Sequence, residues 1–221
     1  MFLLRNSGGD LHHGEVTIPD PEFPDRFFER EDESPDSLFY RAARFVTHID
    51  DETIAALTTY YRDFLPPGSR VLDLMSSWIS HLPDIDYPRV SGLGMNEAEL
   101  SANPRLTDSV VHDLNVDPHL PYEDAAFDRA VIAVSIQYLD RPVEVFSDLC
   151  RVLSPGGRVA IAMSHRCFPT KAILAFRALD PGERVRVVST YLDRAGFVDI
   201  AFEDRSPPAA DPLWLVLGTR R

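Results

Sequence analysis

From Gly68 onward the chain alternates short apolar runs with longer amphipathic segments, and this alternation limits its fold more than any other feature. The apolar runs have the length and composition of β-strands. Strands that alternate with helices form a parallel sheet with helices on its faces. The predicted strands are 70–74, 89–93, 109–112, 127–134, 158–163, 198–202 and 213–218.

The last two predicted strands are joined by Pro207, Pro208 and Pro212, with no room for a helix between them. Strands joined without a crossover helix pair in antiparallel fashion. We therefore predict an α/β fold of the Rossmann-like, doubly wound type. Its seven-stranded sheet is mostly parallel and ends in a C-terminal antiparallel hairpin.

Two helices are well marked by their apolar periodicity and by the residues at their ends. One is predicted over 50–64, where Asp50 and Asp51 occupy the N-cap region. The other is predicted over 142–153, with Asp140 as its cap. A tight turn at Pro-Gly-Gly is expected to lead from that helix into the next strand.

Composition limits the class of protein and of partner. A chain of 221 residues suits one folded domain, which we place at 50–221. The formal net charge of −13 argues against binding to nucleic acid or to an anionic membrane, because both need clustered Lys and Arg. Small molecules or proteins are the expected partners. Cys150 and Cys167 belong to no CxxC pair, so neither a disulfide framework nor a metal site is expected.

No apolar window has the length of a membrane span, and the first apolar run is too short for a signal peptide. A cytoplasmic location is the expectation. Residues 1–49 are predicted to be an N-terminal tail followed by a lid segment, and no regular element is expected before about Glu33. In the lid, Tyr40 and Arg44 combine an aromatic and a basic group that suit an anionic or planar substrate. The alternative for this segment is amphipathic packing against the sheet edge, especially for Phe39.

Asp73 lies near the end of the first predicted strand, where a strand-to-loop-to-helix crossing is expected to contact a ligand. Glycines usually follow such an acid, because glycine permits positive φ and close approach of the backbone. Here Met75, Ser76, Ser77 and Trp78 follow instead. Two interpretations stay open. The site could be lost, or it could be rebuilt with serine hydroxyls that donate to a ligand carboxylate.

Five motifs occur in an order that resembles the class I S-adenosylmethionine-dependent methyltransferases, of the small-molecule, type 11-like kind. The resemblance runs from about residue 71 to the C-terminus. The run Asp-Leu-Met-Ser-Ser-Trp, in place of the glycine-rich loop, is similar to a divergent branch of that family. The motifs are Val-Leu-Asp-Leu at 71–74, Ser-Gly-Leu-Gly-Met-Asn at 91–96, His-Asp-Leu-Asn at 112–115, Phe-Asp-Arg-Ala-Val at 127–131 and Arg-Val-Leu-Ser-Pro-Gly-Gly at 151–157.

The resemblance implies S-adenosyl-L-methionine as cofactor, bound beyond the carboxyl ends of the strands. It implies that Asp73 faces the amino group of the methionine part and that Asp113 takes the adenine amino group. The family usually has an acid for the ribose hydroxyls where this chain has Gly94, so Asn96 is the nearest replacement. The implied cofactor-binding residues are Asp73, Met75, Ser76, Gly94, Asn96, Asp113, Leu114, Val134 and Ser135.

The loop after the fifth core strand supplies candidates for the methyl acceptor. His165 is the candidate general base, and Arg166 is a candidate substrate contact together with Tyr40 and Arg44. The alternative for His165 and Arg166 is a solvated loop. Lys171 is expected to be a surface charge on the next helix.

These observations favour methyl transfer from S-adenosylmethionine to a small-molecule acceptor. The alternative is a non-catalytic binding or regulatory protein that keeps the fold, because fold does not establish a reaction. A nicotinamide-dependent oxidoreductase ranks last, since its GxGxxG fingerprint is absent after the first strand.

Overall fold

The computed structural model describes residues 3–6, 11–12 and 23–221, and its described strands form a single sheet. The strands are β1 Leu3–Asn6, β2 Leu11–His12, β3 Arg70–Ser76, β4 Arg89–Gly94, β5 Asp108–Val111, β6 Phe127–Ala133, β7 Leu153–Met163, β8 Phe197–Asp204 and β9 Trp214–Arg220. Their spatial order is β2-β1-β8-β9-β7-β6-β3-β4-β5.

The predicted fold class is confirmed by this sheet. Strands β5, β4, β3, β6 and β7 pair in parallel, whereas β9 is antiparallel to both β7 and β8. The strand order reverses between β3 and β6, which is where doubly wound sheets bind their ligands.

The predicted seven strands are all present, but two predictions about other parts of the sheet were wrong. The prediction of no regular element before about Glu33 fails at β1, which pairs in parallel with β8, and at β2. The exposed edge of β8 offers unpaired backbone groups that a short segment can use. The Pro-Gly-Gly sequence is not a turn before β7. It is an irregularity within β7, whose pairing with β6 shifts between Phe127 and Arg129.

The helices are α1 Asp36–Phe39, α2 Asp51–Phe64, α3 Glu97–Ala102, α4 Pro142–Val152, α5 Leu174–Ala178 and α6 Pro181–Arg194. Two short 3₁₀ turns span Asp25–Phe28 and Ile136–Tyr138. Asp50 caps α2 as predicted, because its side chain accepts from the Thr53 amide at 2.8 Å. Asp140 does not cap α4. Arg141 occupies that position without a side-chain cap.

The helix expected after β3 is absent, so the predicted strand-to-loop-to-helix crossing was wrong. Residues 77–88 form a loop with no helical turn. Pro83 and Pro88 lack the amide that a helix needs, and His81 has a positive φ of 55°. Leu82 and Tyr87 supply the apolar side chains that a helix would have buried on the sheet.

The core has two layers, one on each face of the sheet. Helices α4 and α6 pack on one face through residues such as Phe146 and Tyr191. Helix α2 covers the other face through Leu57 and Tyr61. This packing holds the carboxyl ends of β3 to β6 as a rigid floor for a cavity.

No helix among the described residues has both the length and the apolar character needed to cross a bilayer.

Candidate functional site

One cavity opens at the carboxyl ends of four neighbouring strands, β3, β4, β5 and β6. Its empty volume is about 1150 Å³, open solvent at the mouth included. Of the predicted site residues, ten line it: Tyr40, Arg44, Asp73, Met75, Ser76, Gly94, Asp113, Leu114, Val134 and Ser135. Asn96, His165 and Arg166 do not.

Asp73 is a buried carboxylate at the floor of the cavity, with only 3% of its surface exposed. The Ser76 and Ser80 hydroxyls both donate to its Oδ2 at 2.5 Å. Burial raises the pKa of Asp73 to about 6, although the two hydroxyls oppose that rise. A cation brought into the cavity would favour the ionised carboxylate and would lower this pKa.

The segment after Asp73 takes a glycine-like path without a glycine. Met75 has φ of 60° and lies at a bulge where the pairing of β3 with β4 shifts between Leu74 and Ser76. The bulge brings the Ser76 carbonyl against Gly94. A Cβ added at Gly94 would lie 2.2 Å from that oxygen. The unusual loop and the missing acid at position 94 are therefore one structural feature.

Glu99, which the sequence analysis missed, brings a carboxylate into the cavity from α3. It is buried, and its Oε2 accepts from the Ser77 hydroxyl at 2.6 Å. Its Oε1 accepts from the Arg44 amide at 2.7 Å. Because an asparagine at 96 and a glutamate at 99 have the spacing of a helix cap, the sequence did carry a signal for this pair.

Asn96 was expected to reach a ribose, but its side chain is directed elsewhere. Its Oδ1 accepts from the Glu99 amide at 3.0 Å, which caps α3. Its Nδ2 donates to the Tyr40 carbonyl at 2.8 Å and to the Arg41 carbonyl at 3.3 Å. Asn96 thus fastens the N-terminal segment, and this correction leaves Glu99 as the carboxylate from α3 that lines the cavity.

Residues 36–48, here called the cover segment, lie over the cavity mouth. Trp78 donates from Nε1 to the Val46 carbonyl at 3.0 Å and packs edge-on against Phe45. The indole therefore lines the wall and leaves the space between Asp73 and Asp113 open. Together with Asn96 and Glu99, three side chains hold the cover segment by its backbone.

Phe168 links the cover segment to the sheet. Its ring contacts Phe39, His48 and Tyr138, with centroid distances of 5.4, 5.1 and 6.0 Å. The Tyr138 hydroxyl accepts from the Phe168 amide at 2.8 Å. The predicted loop after β7 does reach the cavity, but through Phe168.

His165 and Arg166 point away from the cavity and contact Asp211 instead. The Arg166 Nε lies 3.1 Å from Asp211 Oδ1, and the His165 Nε2 lies 3.2 Å from the same oxygen. Asp211 also pairs with Asp50 at the start of α2, since the backbone amide of each donates to Oδ2 of the other. The arrangement does not support His165 as general base or Arg166 as a substrate contact, since both tie down a loop.

Lys171 is fully buried, so its prediction as a surface charge was wrong. Its Nζ lies 3.1 Å from Asp36 Oδ1 and donates to the carbonyls of Asp32 and Ser34 at 3.0 and 2.6 Å. Arg30 donates to both oxygens of Asp36 at 2.9 and 2.8 Å. These contacts fix the start of the cover segment to the loop before α5.

Asp113 lines the cavity from the turn after β5. Its Oδ1 accepts from the Asn115 amide at 3.1 Å, which shapes the turn after β5. Asn115 then donates from Nδ2 to Asp36 Oδ2 at 2.8 Å. The other carboxylate oxygen, Oδ2, accepts no hydrogen bond from the amides of this turn. The next residue, Leu114, is buried.

Three residues with positive φ line the cavity: Met75 at 60°, His81 at 55° and Val134 at 51°. A β-branched residue such as Val134 rarely adopts this conformation. Backbone strain of this kind concentrates at functional sites, where the surrounding structure holds it. Two buried polar atoms at the cavity, Ser135 Oγ and His81 Nδ1, have no hydrogen-bond partner among the described residues.

His81 is another cavity residue that the sequence analysis missed. Burial, with a smaller contribution from His48, lowers the pKa of His81 to about 4. Its imidazole is therefore neutral at physiological pH. A signal for it existed, since His81 directly follows the altered loop.

The residues present fit S-adenosylmethionine. Four carboxylates line the cavity: Asp36, Asp73, Glu99 and Asp113. Such a lining suits a ligand that carries a sulfonium and an ammonium group. The unpartnered Ser135 Oγ lies where the strand order reverses. The strained loop leaves the space open, and this favours the rebuilt interpretation over the lost one.

Comparison with known proteins agrees with this geometry. Residues 81–161 match the Methyltransferase domain family, and the match begins just after the altered loop. The methyltransferase GfsG of Streptomyces halstedii is 44% identical over 57 residues, which are 26% of this chain and 20% of that protein. The chain thus spans only a fifth of that relative. A malonyl-[acyl-carrier protein] O-methyltransferase of Methylococcus capsulatus is 26% identical over 185 residues, covering 78% of this chain and 67% of that protein.

A solved structure of an S-adenosylmethionine-dependent methyltransferase from Mesorhizobium loti superposes with a TM-score of 0.54 at 20% identity, covering 75% of this chain and 98% of that one. At this identity the likeness concerns the fold. Over residues 81–161 this chain is thus similar to the Methyltransferase domain family, and its architecture is that of solved S-adenosylmethionine-dependent methyltransferases.

Proposed function

We propose that this protein transfers a methyl group from S-adenosylmethionine to a small-molecule acceptor. The observation that carries the proposal is the cavity where the strand order reverses, with Asp73, Glu99 and Asp113 on its walls. The malonyl-[acyl-carrier protein] relative is consistent with transfer to an oxygen atom, but the acceptor here is proposed only as a small molecule.

Each strand end would bind one part of the cofactor. Asp73 accepts from the amino group of the methionine part. Asp113, with the Leu114 amide next to it, accepts from the adenine amino group. Val134 and Ser135, directly after β6, border the transferred methyl group, while the bulge at Met75 and Ser76 and the bare backbone of Gly94 shape the wall between these parts.

When bound, S-adenosylmethionine supplies a methyl group already activated by its sulfonium. The chain's own residues then need to align the acceptor and to exclude water, which is most of the catalysis in such a transfer. The cover segment provides the exclusion, and Tyr40 within it lines the acceptor side of the cavity. An acceptor that loses a proton needs a base. His81 replaces His165 as the candidate, because its neutral imidazole lines the cavity.

A non-catalytic binding protein is the second candidate function. It is favoured by the absence of an acid at Gly94 and by the absence of a helix after β3. Both features weaken the usual contacts of the cofactor, but neither fills the cavity.

Calorimetry with S-adenosylmethionine and S-adenosylhomocysteine tests the proposal directly. We expect both to bind, and we expect Asp113→Ala to weaken binding roughly tenfold, the loss of one charge-assisted hydrogen bond. Asp117→Ala is the matched control, because Asp117 is exposed four positions away and does not line the cavity. Absence of binding by the wild type, or equal effects of the two variants, would reject the proposed site. Binding of both ligands with no methyl transfer to any of a broad panel of acceptors would favour the second candidate.

A further inference from the structure

We propose that Arg44, in the cover segment, binds the carboxylate of the methionine part of S-adenosylmethionine. This inference rests on the proposed function and assigns to the cofactor a residue that the sequence suggested for the substrate. It follows from the charges around the cavity, from what the loop after β3 has lost, and from the position of the Arg44 guanidinium.

Arg44 is the only Lys or Arg among the described residues that line the cavity. The described residues offer it no carboxylate within 4.0 Å, although Asp36, Asp73, Glu99 and Asp113 line the same cavity. Those acids have other partners: Asp36 contacts Arg30 and Lys171, and the others accept hydrogen bonds from hydroxyls or amides. A half-buried cation without a carboxylate partner is available to pair with an anionic ligand group.

The loop after β3 has little left with which to bind that anion. In a βαβ unit the amides at a helix N-terminus usually bind it, but residues 77–88 contain no helix. The serine hydroxyls are also occupied. Ser76 and Ser80 donate to Asp73, and Ser77 donates to Glu99. The expectation that these serines bind a ligand carboxylate is therefore replaced by a role in holding the two acids.

A short chain of hydrogen bonds connects the Arg44 backbone to the proposed amino-group site. The Arg44 amide donates to Glu99 Oε1, and Glu99 Oε2 accepts from Ser77. Ser77 is adjacent to Ser76, whose hydroxyl contacts Asp73. The amino and carboxylate groups of methionine share one carbon atom, so a ligand whose ammonium lies at Asp73 presents its carboxylate to this neighbourhood.

The Arg44 guanidinium lies against two aromatic rings and has free donors for this contact. Its carbon lies 4.4 Å from the Phe39 ring centroid and 5.5 Å from that of Phe168. Stacking of one face on an aromatic ring leaves the N–H edge for in-plane hydrogen bonds. The side chain donates to two carbonyls, Phe39 O at 2.8 Å and Ala42 O at 3.3 Å. Since a guanidinium has five N–H donors, donors remain for a carboxylate.

The test compares S-adenosylhomocysteine with 5′-methylthioadenosine, which has the same nucleoside and sulfur but no amino-acid part. For each variant, calorimetry on the full chain gives the affinity for S-adenosylhomocysteine divided by the affinity for 5′-methylthioadenosine. In Arg44→Gln we expect that ratio to fall roughly tenfold to a hundredfold, as for a hydrogen bond between charged groups. Arg44→Lys keeps the charge but not the planar fork, so its ratio should lie between those of the wild type and Arg44→Gln. Arg41→Gln, an exposed neighbour in the same segment, should leave the ratio unchanged.

The affinity ratio within one variant separates a carboxylate contact from damage to the cover segment, because damage weakens both ligands equally. An unchanged ratio in Arg44→Gln overturns the inference. Arg44 would then again be a candidate contact for the methyl acceptor. If the wild type binds 5′-methylthioadenosine and the ratio is unchanged, only the Arg44 assignment fails. If the wild type binds neither ligand, the proposed function fails with it.

Discussion

The pKa of Asp73 leads to a sharp prediction for cofactor binding. Burial raises this pKa to about 6 in the ligand-free protein. An ammonium group binds the ionised carboxylate, so only the ionised fraction is competent to bind. That fraction is about 10% at pH 5 and about 90% at pH 7, and the apparent affinity scales with it. We therefore expect S-adenosylhomocysteine to bind roughly tenfold more weakly at pH 5 than at pH 7.

The assay is calorimetry from pH 5 to pH 8 on the wild type and on Asp73→Asn. Asparagine keeps an oxygen that can accept from Ser76 and Ser80 but carries no charge. The variant should bind weakly at every pH, without the tenfold change. His81 stays neutral over nearly all of this range, because its pKa is about 4.

A ligand control isolates the contact. 5′-Methylthioadenosine lacks the ammonium group, so its affinity should not follow the ionisation of Asp73. A flat profile for S-adenosylhomocysteine on the wild type, or a tenfold change that survives in Asp73→Asn, would refute the reasoning. An identical pH dependence of the affinity for both ligands would also refute it.

Two further predictions concern Gly94 in the cavity and the buried ion pairs of Lys171. Gly94→Asp introduces an acid at the position where the resemblance to methyltransferases implies one. It should nevertheless lower both the Tm and the affinity for S-adenosylhomocysteine, because its Cβ would meet the Ser76 carbonyl at 2.2 Å. A gain in affinity, measured by calorimetry beside a melting curve, would contradict the coupling of loop and glycine. Lys171→Met should lower the free energy of unfolding in urea by roughly 3–5 kcal/mol, the usual cost of removing one partner from a buried ion pair. Arg177→Met, which breaks a more exposed pair with Glu31, should cost about 1 kcal/mol or less, and equal losses would tell against the buried cluster.

Most of the fold could be predicted from local sequence. The apolar runs gave the seven core strands, and Asp50 marked the start of α2 because a cap needs only its own neighbours. Pro83 and Pro88 also indicated that no helix follows β3. The prediction of a helix there relied on the sequence around Asp73 instead. Local periodicity could not reveal β1, because that strand depends on the distant edge of β8.

Site residues close to the carboxyl end of a strand could be predicted from the sequence. Site residues in loops were missed, because the path of the loop decides which side chains face the cavity. Asp73 lies within β3 and Asp113 lies two residues after β5, so the sheet topology brings both toward one cavity. His165 and Phe168 are three positions apart in one loop, and only the three-dimensional path shows which of them faces inward. Lys171 is the only lysine in the chain, a hint of a special position, but its partners lie more than 130 residues away in sequence.

The cover segment is anchored at both of its ends, which determines how a ligand can enter and leave. Asp36 is fixed by Lys171 and Arg30, and Asp50 is fixed by Asp211. Closing a short loop between fixed points costs little entropy, so the segment can open and reclose without unfolding its supports. Exchange of product for fresh cofactor would then proceed by a local rearrangement between positions 37 and 48. Its rate would be governed by the few hydrogen bonds that Trp78, Asn96 and Glu99 make to that stretch of backbone.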